Sequence, residues 1–133
     1  MIELSAITNG MTSNLVHMAL DAASVRHVAI ASNIANVNTE GYRPLQVSFD
    51  EQLSLWRDQL MSRQDTPATM RAMADLRQSL RDTPVTAEST ARQVQLDEEI
   101  AKLVRNTVNY QALLTAQSKL TSLIRTAINE GRK

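Results

Sequence analysis

The residues of this 133-residue chain whose types invite a search for chemistry are two histidines, His17 and His27, and the acidic run Asp97-Glu98-Glu99. On one helix the histidines would stand about 15 Å apart and roughly 80° around the axis, so they cannot share a metal. His27 falls on an apolar helical seam and reads as a polar member that helps fix register. The sharper reading, a pH switch, has no second residue behind it. Asp97-Glu98-Glu99 opens a helix, where carboxylates favour the positive end of the dipole. No histidine or second carboxylate cluster is placed to complete a metal or general-base site. The chain has no cysteine, which removes disulfides, thiolate metal sites and cysteine nucleophiles. Glycine-rich phosphate loops, G-x-S-x-G and H-E-x-x-H are absent from it too. The expectation is therefore a protein without catalytic residues, cofactor, metal or small-molecule substrate.

The pattern that stands out is made of amides. Asn33, Asn36 and Asn38 fall within six residues at the end of an apolar helical stretch, followed by Thr39, Glu40, Gly41 and Tyr42. Asparagine is a middling-to-poor helix former because its amide readily bonds nearby backbone. Helix C-capping accounts for Asn38 and Gly41. It does not account for Asn33 and Asn36, which are three apart and share one face. Amides placed there can bond the backbone of the following loop or of a neighbouring subunit.

The elements that must position these residues are helical. Tyr42, Phe49, Trp56 and Tyr110 are the only aromatics, and the chain has three glycines and three prolines. That is too few aromatic and turn residues for a sandwich or barrel. The length suits a single domain, 1–133. The first periodic segment covers 12–37, with Thr12 or Ser13 as N-cap. Val16, Leu20, Ala23, His27, Ile30, Ile34 and Val37 are spaced 4-3-4-3-4-3 along it, an a/d seam suited to close approach of another helix. A second helix is expected over 94–129, with Leu96, Ile100, Leu103, Tyr110, Leu113, Leu114, Leu120, Ile124 and Ile128 as its stripe. It should outreach the first and project beyond a simple hairpin.

The stretch 38–93 between them is broken at Gly41-Tyr42-Arg43-Pro44. Phe49, Leu53, Trp56 and Leu60 are spaced for one short amphipathic helix. Thr66 as N-cap, Pro67 at the first helical position and Met70, Met73, Leu76 and Leu80 predict another, ended by Pro84. Thr83 to Gln93 reads as a linker. The fold class is thus mainly α: two long terminal helices in an antiparallel, coiled-coil-like pair, joined by an irregular loop with short helices.

The 14 basic residues equal the 14 acidic ones, which argues against a dedicated nucleic-acid binder. Residues 1–50 nevertheless carry two basic and four acidic groups, and 93–133 carry six and four. The two ends are weakly complementary. The longest apolar runs are about four residues, so no transmembrane segment is expected. No basic residue precedes Arg26, so no cleaved signal peptide is expected either.

The stretch Ala31-Ser32-Asn33-Ile34-Ala35-Asn36-Val37-Asn38-Thr39-Glu40-Gly41-Tyr42-Arg43 resembles the N-terminal signature of the bacterial flagellar rod and hook proteins. That signature is approximately A-x-N-(I/L)-A-N-x-x-T-x-G-(Y/F)-(K/R). Glu40 stands where the group usually has proline. Val94-Gln95-Leu96-Asp97-Glu98-Glu99-Ile100, with Asn109-Tyr110-Gln111-Ala112 further on, is similar to the C-terminal helix of the same group. The Gly-Asn turn usual before it is replaced by Ala91-Arg92-Gln93. With about 55 residues between the helices, the chain resembles a proximal rod subunit rather than a hook or distal rod protein.

The resemblance implies a structural subunit of the basal-body rod, the periplasm-crossing drive shaft for motility. It implies assembly with itself and with the rod proteins FlgC and FlgF, the basal-body protein FliE as a neighbour, and passage through the flagellar type III export apparatus. On this reading Asn33, Asn36, Asn38, Thr39, Gly41 and Tyr42 form a junction that fixes subunit geometry. Val16, Leu20, Ile30, Ile34, Leu96, Ile100, Leu103, Tyr110, Leu120 and Ile124 carry helix packing and assembly. The competing readings are a helical cytosolic adaptor or secretion chaperone, and an inner-rod subunit of a virulence type III secretion system.

Overall fold

The computed structural model describes residues 2–49, 54–55, 57–58, 67–82, 86–87 and 93–132. Three helices dominate it: α1 (Ile2–Ala35), α2 (Pro67–Arg81) and α3 (Leu96–Glu130). Two-residue strands, β1 (Leu45–Gln46) and β2 (Thr86–Ala87), pair antiparallel with Leu45 opposite Ala87 and Gln46 opposite Thr86. α1 and α3 form an antiparallel hairpin, joined by contacts that run from Asn33–Glu99 through Ala23–Asn106 to Ser13–Gln117. The chain is mainly helical with a long helix at each end, as the periodicity predicts.

The helix limits differ from the predicted ones. α1 begins at Ile2, ahead of the Thr12 or Ser13 cap, because Glu3, Leu4, Ala6 and Ile7 sustain a helix that Gly10 weakens without breaking. It gives way to turns at Asn36–Asn38, short of Val37. The two hairpin helices are 34 and 35 residues long, so α3 does not outreach its partner. Within the stretch read as a linker, Thr86 and Ala87 pair with β1.

The covering layer sits on one side of the hairpin. Met18, Phe49 and Leu76 form its buried cluster, flanked by Ala22, Val25 and Val47. Residues 54–55 and 57–58, inside the short helix predicted from Phe49 to Leu60, are helical, but Phe49 itself is not: it follows β1 and packs between α1 and α2. The Arg26 guanidinium lies 4.8 Å from its ring centroid, within cation–π range. Arg77 of α2 donates to Asp21 of α1 at 3.1 Å, a half-exposed pair that orients α2 more than it stabilises it. Pro67 does open α2, while the predicted cap Thr66, the stop at Pro84, and Leu53, Trp56 and Leu60 lie outside the described residues.

The inward face of α1 turns toward β1. Ala23, Ala29, Ile30 and Asn33 are its buried members besides Met18, while Val16, Leu20, Ile34 and Val37 are half-buried. His27 is exposed rather than part of the seam. Its heptad spacing suits a supercoiled pair, but here the seam rotates toward Ala29 and Asn33. A larger correction concerns α3. Its inward stripe is Glu99, Leu103, Asn106, Tyr110, Leu113, Gln117, Leu120 and Ile124, spaced 4-3-4-3-4-3-4. Glu99 and Asn106 are its buried residues, and Tyr110 lies at the rim. Leu96 and Ile100 remain 40% and 46% exposed, so neither packs in the hairpin.

Candidate functional site: an asparagine-centred junction

The turn after α1 is built by short-range bonds. The Thr39 amide donates to the Asn36 carbonyl at 2.9 Å and the Tyr42 amide to the Thr39 carbonyl at 3.2 Å. The Asn36 side chain donates to the Ser32 carbonyl at 2.8 Å and accepts from the Thr39 hydroxyl at 3.2 Å. The Ser32 carbonyl also accepts the Asn36 backbone amide at 3.1 Å, so Asn36 holds the last turn of the helix by both its backbone and its side chain. Gly41 has φ +75, and a Cβ added there would meet nothing within 4 Å. Glycine is needed for its backbone angle, not for space. Asn38, Thr39 and Glu40 are exposed.

This turn sends the chain back along α1, where Asn33 receives it. Asn33 is 2% exposed. Its Nδ2 donates to the Leu45 carbonyl at 3.0 Å and to Glu99 Oε2 at 3.1 Å. Its Oδ1 accepts from the Leu45 amide at 2.7 Å and from the Tyr42 hydroxyl at 3.0 Å. Both donors and both acceptor sites of the amide are therefore used. The pairing with Leu45 copies a strand-to-strand exchange, with a side chain in place of a strand. Since the Tyr42 hydrogen is committed to Asn33, Ser32 Oγ donates to Tyr42 Oη across their 3.1 Å contact.

Glu99 completes the network from the other helix. Its carboxylate is 3% exposed, accepts from Asn33, and pairs with Lys102 at 2.8 Å. A buried carboxylate is tolerated only with such partners. About two turns further on, Asn106 donates to the Ala23 carbonyl at 2.9 Å. Ala23 is 0% exposed, and its small side chain is what lets the amide reach the backbone.

Of the predicted junction residues, the structure brings Asn33, Asn36, Thr39 and Tyr42 into one network and gives Gly41 the turn that permits it. Asn38 stands apart. Glu99 and Asn106 were missed by sequence reading, which assigned Glu99 to helix-end electrostatics. The signal was available: both occupy the heptad that Leu103, Leu113 and Leu120 define. His17 is half-buried beside Gln117, with 3.5 Å between nitrogens, far from the junction.

The arrangement has no nucleophile–base pair and no convergent ligand set among the described residues. What it can do is fix the loop, the strand and both long helices in one geometry. Residues 17–43, which contain the Asn33 to Tyr42 network, match the family described as Flagella basal body rod protein. The chain is also 27% identical over 133 residues to the Flagellar basal body rod protein FlgB of Bacillus subtilis (strain 168), covering 96% of this chain and 99% of that protein. No solved structure matches it.

Proposed function

We propose that the chain, which is similar to flagellar basal-body rod proteins over residues 17–43 and to a FlgB over nearly its whole length, is a structural, proximal rod subunit whose junction holds the hairpin in the shape that copies and other rod proteins pack against. The observation that carries this reading is an apolar open face. Along α3, Leu96, Ile100, Val104, Val108 and Leu114 are all exposed, and between Asp97 and Arg125 their flank meets charge only at its edge, at Lys119. On α1 the exposed Ser24, Val28, Ala31 and Ala35 lie on the same side of the hairpin, turned away from the Phe49 cluster. A solvated helix face normally carries charge, and an apolar one of this length is a surface made to be covered.

The neighbours are FlgC, FlgF and FliE, the assembly is the periplasmic drive shaft for motility, and delivery is through the flagellar type III export apparatus. The subunit acts by shape and packing, without catalysis. The family is one of structural proteins, and the likeness over nearly the whole chain disfavours the adaptor, chaperone and virulence inner-rod readings. Val104→Lys tests the proposal. Position 104 is 58% exposed, so the isolated variant should unfold within about 0.5 kcal/mol of the parent. A host carrying it should lose motility, and its basal bodies should lack a rod by electron microscopy. Normal motility would sink the reading of this face.

A further inference from the structure

A groove of about 500 Å³ lies on the covered side of the hairpin, between α1, β1 and α3. Its floor is apolar, from Ala29, Ile30, Leu45 and Val47, and its rim is cationic, from Arg26, Lys102 and Arg105. Lys102 is engaged by Glu99 yet 53% exposed, Arg26 contacts only an aromatic face, and Arg105 has no partner among the described residues. Glu99 and Asn106 also line it, so the junction network forms one wall and the Glu99 carboxylate, paired with Lys102, lies beside the basic rim. Lys102, Arg105 and Asn109 project about 170° around α3 from Leu96, Ile100 and Val104. Asp97 shares the flank of Val104, within about 20°. One helix therefore presents a cationic groove on one side and, on the other, an apolar stripe ending in a carboxylate.

We propose that the groove of one copy receives the start of α3 from a second copy. Leu96 and Ile100 lie on the Ala29–Leu45–Val47 floor, and Asp97 faces Arg26 and Arg105. The charge complementarity identifies the occupant, since Asp97 is the carboxylate that the otherwise uncharged stripe carries into a basic rim. The two faces lie on different sides of the hairpin, so the contact is heterologous rather than two-fold. It repeats from copy to copy in one direction. This rests on the rod-subunit reading and adds to it the relative orientation of the copies.

The chain has no cysteine, so paired cysteines report the contact directly. Asp97→Cys and Arg105→Cys in one full-length chain cannot join within a molecule, being roughly 12 Å apart along the helix and about 80° apart around it. Oxidation of the purified protein at assembling concentration should give a ladder of multimers on a non-reducing gel. Mixing the two single variants should give one mixed dimer and no ladder. Arg105→Asp should raise the concentration needed for assembly at least tenfold, and adding Asp97→Arg should restore it. If wild-type multimers sediment but no 97–105 crosslink forms, or only symmetric 97–97 and 105–105 links form, the groove assignment is overturned and the rod reading stands. If the wild-type chain neither multimerises nor enters basal bodies, the rod reading fails and takes this inference with it.

Discussion

Asn33 is the residue whose loss the fold should feel most, because its one side chain satisfies groups on three elements. Asn33→Ala leaves the amide and carbonyl of Leu45 and the Glu99 carboxylate short of partners at once. Each buried orphan costs about 1–3 kcal/mol, so a total of about 3 kcal/mol or more is expected in urea unfolding. Asn33→Asp keeps the shape but swaps two donors for a carboxylate facing Glu99. Like charges at that distance repel, and protonating one of them relieves the repulsion. The Asp variant should therefore be much weaker than the parent at pH 7 and recover part of the difference as the pH falls toward 4, whereas the Ala variant should show no such recovery. Gly41 is a cleaner case, because only its φ of +75 is at stake. Gly41→Ala or Gly41→Val should cost about 1–2 kcal/mol and Gly41→Asn less, since asparagine tolerates that region. Gly41→Val should also impair rod assembly in cells, read as swarm diameter.

At the scale of elements, the two long helices were legible because their leucines and isoleucines recur at helical spacing, and the turn was legible because Asn, Thr and Gly cluster there. The inward face of α3 was legible only in part: Leu103, Leu113, Leu120 and Ile124 were read from spacing, but its polar members were not. Pattern reading assigns apolar residues inward, and here Glu99 and Asn106 take two seam positions while Leu96 and Ile100 face out. That inversion is a signature of a subunit that keeps apolar surface for neighbours and uses polar bonds to set its own register. Lys102 and Asn33 together make Glu99 a tolerable seam residue, and no linear pattern links Glu99 to Asn33, 66 residues away. Phe49 escaped for a related reason: its partners Met18 and Leu76 come from distant helices. Two substitutions separate these roles. Phe49→Ala should cost about 3–5 kcal/mol by loosening α2 and β1 from α1. Ala23→Leu should cost about 1–3 kcal/mol by pushing Asn106 from the Ala23 carbonyl and spreading the hairpin. Thermal melts followed by helical circular dichroism would rank the two.

For the whole molecule, the distribution of burial is uneven along the hairpin. Among the residues whose burial is described, the buried side chains of the two long helices fall between Met18 and Asn33 on α1 and at Glu99 and Asn106 on α3. Past Asn106, α3 has no buried residue among those described, and Leu123 and Ile128 are 68% and 60% exposed. The contacts there are half-buried leucines and a Gln117–Ser13 bond of 3.4 Å, and Gln117 Oε1 is enclosed without a partner. With so little burial among the described residues, this arm should open at lower free energy than the junction end. Hydrogen exchange on the dilute, full-length chain should show this gradient. Amides near Asn33, Leu45 and Glu99–Asn106 should exchange slowest, and those of 117–130 at least a hundredfold faster. In assembled rods the difference should collapse, because neighbours then cover the apolar residues that the isolated arm leaves in water. Uniform slow exchange in the dilute chain would mean that the hairpin is already complete by itself, and that assembly does not supply its missing packing.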